Sequence, residues 1–140
     1  MRTYQLFIIK SEFYQTYVSN SFSLYKTLEN LHSFRMQDAS FGKTLFHQLC
    51  ELHDVRLLEQ YFKGKGFPTY HNAYVLINQK RKEKTFLQIK PSRLIVTTNK
   101  NVPAIFRVLN YYNAYIFVCD FKNKDYFWLS NHYKRKNLLQ

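Results

Sequence analysis

Residues 119–131, CDFKNKDYFWLSN, set Asp120, Phe121, Tyr126, Phe127 and the chain's single tryptophan, Trp128, in one short span. An aspartate among aromatic rings has two chemical uses. Desolvation can raise its pKa and make it a base, or it can bond backbone amides ahead of it and cap the DFKNKD turn. The turn reading is favoured, because no catalytic partner accompanies Asp120. The nine carboxylates are scattered, and no glycine-rich elbow surrounds a serine. Nothing in the sequence points to an enzyme. The aromatic cluster itself has three uses open to it: sheet core, base-stacking platform, or half of a protein docking surface.

Two further groupings touch on chemistry. FGKT at 41–44 has the tail of a phosphate-binding loop, but that loop needs a glycine five positions before Gly42, where Gln37 stands. His47, Cys50, Glu51 and His53 suggest metal ligation, since i and i+3 share a helix face. A zinc site would need more thiolate or imidazole ligands, and Cys119 is the one other thiol. A buried Cys50 beside a solvated His47 is the preferred arrangement. No metal and no cofactor are predicted.

The charge is the unusual figure: +12, with a pI of about 9.7. Such an excess favours anionic partners, whether nucleic acid, acidic lipid or an acidic protein face. The basic runs KRKEK (80–84) and KRK (134–136) fall in a predicted hairpin turn and in the tail. Nucleic-acid binding through these surface loops is therefore the alternative function, and it should weaken steeply with salt. Two cysteines so far apart do not make a secreted disulfide framework. No apolar run approaches the roughly 20 residues that span a bilayer, and the N-terminus lacks a cleavage pattern. A cytoplasmic protein without membrane insertion is expected.

The elements that must position these residues are legible in outline. Hydrophobic content of 46% with 19% aromatic supports a folded chain, and 140 residues suit a single domain. Thr3–Lys10 is apolar on both faces and predicts a central strand. Ser11 is a predicted cap for a short helix, EFYQTYV, with Glu12 near its positive end. Asn20 or Ser21 opens a second helix with Leu24, Leu28 and Leu31 on one stripe and Phe22 and Tyr25 beside it. SFRMQDAS is a break. A third helix is predicted from about Phe41 to Leu52, burying Phe41, Leu45, Leu49 and Leu52 and exposing Lys43, His47, Gln48 and Glu51. Asp54 caps VRLLEQYF, which Gly64 and Gly66 end.

The second half predicts a meander of three strands, AYVLIN, KTFLQIK and RLIVTTN. Pro103 sits in the first turn of a helix, PAIFRVLNYY, and AYIFVCDF and YFWLS form a strand pair. The expected fold class is α/β, a single mixed, largely antiparallel sheet with helices packed on it.

The first helix carries two aromatic stripes. Phe13 and Tyr17 lie four apart on one, and Tyr14 and Val18 form another, turned about 100° around the axis. So short a helix does not easily bury both against one sheet. Either one stripe stays open as an aromatic patch of the kind found at interface centres, or a neighbouring helix covers it.

Tyr4–Tyr17 (Y-x-L-x-I-I-K-x-E-F-x-x-x-Y) and residues 104–131 (AIFRVLNYYNAYIFVCDFKNKDYFWLSN) resemble the sporulation inhibitor of replication family. The two stretches lie at the two ends of the chain. The resemblance implies a protein that is not an enzyme. It would bind the N-terminal domain of the replication initiator DnaA and restrain initiation, on a surface where other regulators dock. The family's contact Phe and Tyr fall on Phe13 and Tyr17, which favours that stripe as the open one, with Tyr14 and Val18 turned inward. A family proline three residues past the tryptophan is replaced here by Asn131. The third helix would supply a rim through Lys43, His47 and Gln48. The candidate partner-binding residues are Phe13, Tyr14, Tyr17, His47 and Asn131, in a chain expected to be monomeric before complex formation.

Overall fold

The computed structural model describes residues 1–34, 47–51 and 55–138. In chain order these form β1 (Arg2–Ile8), α1 (Ser11–Tyr17), α2 (Ser21–Phe34), α3 (Val55–Gly64), β2 (Thr69–Tyr70), β3 (Ala73–Asn78), β4 (Glu83–Ile89), β5 (Leu94–Thr98), α4 (Ile105–Tyr112), β6 (Ile116–Asp120), β7 (Asp125–Trp128) and α5 (Leu129–Leu138). The strands make one seven-stranded sheet in the order β2-β3-β4-β5-β1-β6-β7. Every neighbouring pair runs antiparallel, so the expected α/β class with a largely antiparallel sheet holds.

Successive strand residues face opposite ways, and here the two faces build two cores. Tyr4, Leu6 and Ile8 of β1 join Leu87, Leu94, Val96, Ile116 and Val118 in the first, against Leu58 and Phe62 of α3, Ile105, Phe106 and Leu109 of α4, and Leu129 of α5. Phe7 and Ile9 point the other way. They meet Phe117, Cys119 and Trp128, under Leu24, Tyr25, Leu28 and Leu31 of α2. This is why β1 is apolar on both faces and all five residues of β6 are buried. Each such aliphatic or aromatic side chain contributes roughly 1.5–3 kcal/mol by leaving water.

The predicted meander is present, with Val75 opposite Phe86 and Phe86 opposite Thr97. β3 keeps its predicted ends, β4 starts and stops one residue earlier than predicted, and β5 is one residue shorter at each end. The strand β2, not foreseen, pairs back on β3 because His71 and Asn72 take φ of 49° and 64°. Two consecutive left-handed residues give the tight hairpin turn whose twist matches the strands.

Four expectations need correction. Ser11 does not cap α1: Lys10 is the N-cap, with no side-chain bond, and Ser11 is already helical. Pro103 precedes α4 rather than lying in it. The chain there makes a tight turn, the Phe106 N–H donating to the Pro103 carbonyl at 3.1 Å, and the buried Glu83 carboxylate on β4 accepts the Ala104 N–H at 3.2 Å. Helical structure at 47–49 stops before Cys50, which forms a β-bridge with Ile9, while the Glu51 N–H donates to the Ile8 carbonyl at 2.8 Å. Finally, the expected tail is the helix α5, seated by Leu129 and Tyr133, four apart and both on the first core. The predicted break at SFRMQDAS beyond Phe34, the FGKT stretch with Phe41 and Lys43, the predicted buried Leu45 and Leu52, and the Asp54 cap lie outside the described residues.

Candidate docking surface

α1 is seven residues long and buries none of its side chains completely. A helix this short has little stability of its own, so tertiary contacts must hold it. Tyr14 supplies them: its ring lies 4.9 Å from the Trp128 ring, edge to face at 79°, and 4.9 Å from Tyr115. Trp128 is buried and rests in turn on Phe117 at 4.9 Å. Tyr14 thus faces inward. Val18 is half-buried as well, and its N–H closes the helix on the Tyr14 carbonyl at 2.8 Å.

Phe13 and Tyr17 are not fully turned out. Both are half-buried and touch the second core, and both keep part of their surface in solvent. The two stripes are therefore less cleanly separated than their spacing predicts. The cause is the turn after α1: the Asn20 N–H donates to the Tyr17 carbonyl at 3.0 Å, and α2 starts at once at Ser21. Phe22, set beside the buried stripe by the sequence pattern, is 57% exposed, its ring 6.4 Å from Tyr126. It is an aromatic that pattern reading alone does not assign to this surface; its place one residue after Ser21 was the available signal.

The remaining candidates are drawn toward the same end of the sheet by different means. The Lys10 N–H donates to the Leu49 carbonyl at 3.0 Å, which fastens the 47–49 turn to the N-cap of α1. His47 there is half-buried and Gln48 exposed. Asn131 is exposed in the first turn of α5 and lines a groove of about 470 Å³ with Ser21, Tyr126, Phe127 and Trp128. Trp128 therefore touches α1 through Tyr14 and borders the groove that holds Asn131.

Arg2, Asn101 and Asp125 line the same groove and belong to a charged clamp. Arg2 donates from Nε to Asp120 at 3.1 Å, from Nη2 to Asp125 at 3.0 Å and from Nη1 to Asn101 at 2.9 Å. Asp120 also accepts the Asn123 backbone N–H at 3.2 Å and its side-chain amide at 2.7 Å. Burial opposes ionisation of Asp120, but the Asn123 bonds and Arg2 outweigh it and hold the carboxyl below its ordinary value. That is the reverse of a general base, and it bears out the turn-capping role. The thiols of Cys50 and Cys119 are both buried, and burial pushes their pKa values up. They stay protonated and serve as core.

Among the described residues no helix is long and apolar enough to cross a membrane, and no group of three or more metal-ligating side chains occurs. Among curated proteins, no relative matches the chain. A family model described as sporulation inhibitor of replication protein SirA matches residues 2–132, nearly the full length, including both end stretches and the strands between them. The chain with this pinned first helix, two-cored sheet and Trp128 hairpin belongs to the sporulation inhibitor of replication (SirA) family.

Proposed function

We propose that the protein restrains the start of DNA replication by docking on the N-terminal domain of the initiator DnaA, and that α1 is the centre of the contact. The observation that carries this is the half-open Phe13/Tyr17 pair on a helix that Tyr14 fixes to the sheet. Aromatic side chains held in place lose little rotamer freedom on binding, and such anchors dominate interface energy. Phe22, His47 and Asn131 would form the surround. Because the chain carries +12, an acidic partner face would speed encounter more than it would deepen affinity. The mechanism is occlusion: a partner surface covered by α1 is closed to other regulators. The reading is one of binding, with no chemical step.

Calorimetric titration against the isolated N-terminal domain of the host's DnaA, at two salt concentrations, tests it. Saturable one-to-one binding, changing only modestly with salt, is expected. Absence of heat and of any shift in a parallel size-exclusion run would end the proposal.

A further inference from the structure

The described helices cover the two faces of the sheet unequally. The first carries α3, α4 and α5. On the second, the described helices α1 and α2 cover β6, β7 and the end of β1. The residues of β3, β4 and β5 that point the same way as Phe7 belong to neither core. Their register is regular: Val75 lies opposite Phe86, Phe86 opposite Thr97, and Ile77 opposite Lys84. None of these is buried, and Ile77 is 63% exposed. Tyr70, opposite Ala73 at the outer edge of the same face, is also 63% exposed. The Lys84 ammonium stands 5.5 Å from the centre of the Phe86 ring.

Within β3, β4, β5 and the turns that join them, the exposed charge has one sign. Between Ala73 and Val102 the sequence holds a single carboxylate, Glu83. It points to the opposite face, is 3% exposed, and is engaged by Arg81 at 3.4 Å, by Thr85 and by the Ala104 N–H. Arg81, itself exposed, also donates to the Val102 carbonyl, so part of its bonding capacity is taken up within the fold. Lys80, Lys82 and Lys84 remain as exposed cations at the hairpin end of the face.

Open apolar surface with two rings and a row of lysines asks for a ligand that is both polyanionic and flat. Duplex DNA offers phosphates but keeps its bases stacked away from Phe86. An unpaired strand offers both, since every base has a face to lay on a ring. We infer that the open part of this face, with Phe86 and Tyr70 as stacking rings and Lys80, Lys82 and Lys84 as phosphate contacts, binds single-stranded nucleic acid. The site is separate from the α1 surface, and either can fail without the other.

Fluorescence anisotropy of a labelled oligothymidylate of about 20 nucleotides, at about 50 mM salt, tests it. Binding is expected, with log K falling against log salt at a slope near −2, about 0.7 per lysine contact. Phe86→Ala and Lys84→Gln should each weaken it at least about fivefold, and Lys63→Gln on α3 should not. Because Phe86→Ala could also loosen the sheet, Phe86→Trp supplies a second reading: its added emission should be quenched by the oligonucleotide. No binding at that salt overturns the proposal. So does equal affinity for a duplex of the same length with no effect of Phe86→Ala in a folded variant. Displacement of the oligonucleotide by poly-glutamate at equal charge concentration overturns it too, in favour of an acidic peptide.

Discussion

Tyr14 and Trp128 meet edge to face with ring centres 4.9 Å apart, and this contact ties the seven-residue α1 to the edge strand β7. They are separated by most of the chain. The pair converts a helix too short to persist alone into a fixed platform, and it places Phe13 and Tyr17 at the rim of the second core instead of in solvent or fully inside it.

Trp128→Ala is expected to lower stability by about 3–5 kcal/mol, the range for removing a large buried aromatic. Tyr14→Ala should cost less, because the ring is only half-buried. A double-mutant cycle by urea denaturation should return a coupling of about 0.5–1.5 kcal/mol between the two rings. Strict additivity would mean that the contact does not hold the helix.

Phe13→Ala and Tyr17→Ala should each weaken binding to the DnaA N-terminal domain by about 2 kcal/mol, roughly thirtyfold, in calorimetry. Each should shift the thermal midpoint only slightly, since neither side chain is fully buried. Variant and parent binding equally well would remove α1 from the mechanism.

Asp120 predicts a pH dependence. Its folded pKa lies below the ordinary value, so its ionised form is favoured more in the folded chain than in the unfolded one. The resulting stability is present above the unfolded pKa of about 3.9 and is lost as pH falls through the folded value. Asp120→Asn should therefore cost about 2 kcal/mol near pH 7, in line with hydrogen bonds to a charged group. The gap between variant and parent should close below about pH 4. A gap that stayed constant down to pH 2 would show that Arg2 and Asn123 do not act on the carboxylate.

Two backbone positions predict opposite signs. Gly66 has φ of +79° with nothing within 4 Å of an added Cβ, so Gly66→Ala should destabilise by about 1 kcal/mol through backbone strain alone. Lys124 takes φ of 55° in the β6–β7 turn. Lys124→Gly should be neutral or stabilising by up to about 1 kcal/mol in thermal denaturation. Destabilisation at Lys124 would reveal a side-chain contact stronger than the strain.

The sequence by itself determined the strands and helices that carry a strong period. Thr3–Lys10 had to be central because it is apolar both ways. The meander followed from three short apolar runs between turns, and Asp120 was readable as a turn cap because its bond partner Asn123 is three residues away. These signals are local. What only the tertiary structure decided lies far apart along the chain. Arg2 meets Asp120 across 118 positions, Glu83 caps α4 from another element, and Lys10 holds the 47–49 turn. The same holds for the exposure of Phe13, Tyr17 and Phe22. A helical period states which side chains share a stripe, but how much of a stripe is covered depends on where α2 starts and what Trp128 touches. The part of the sheet face that the described helices leave uncovered was hidden for the same reason, since alternation in β3 to β5 cannot say where those helices end.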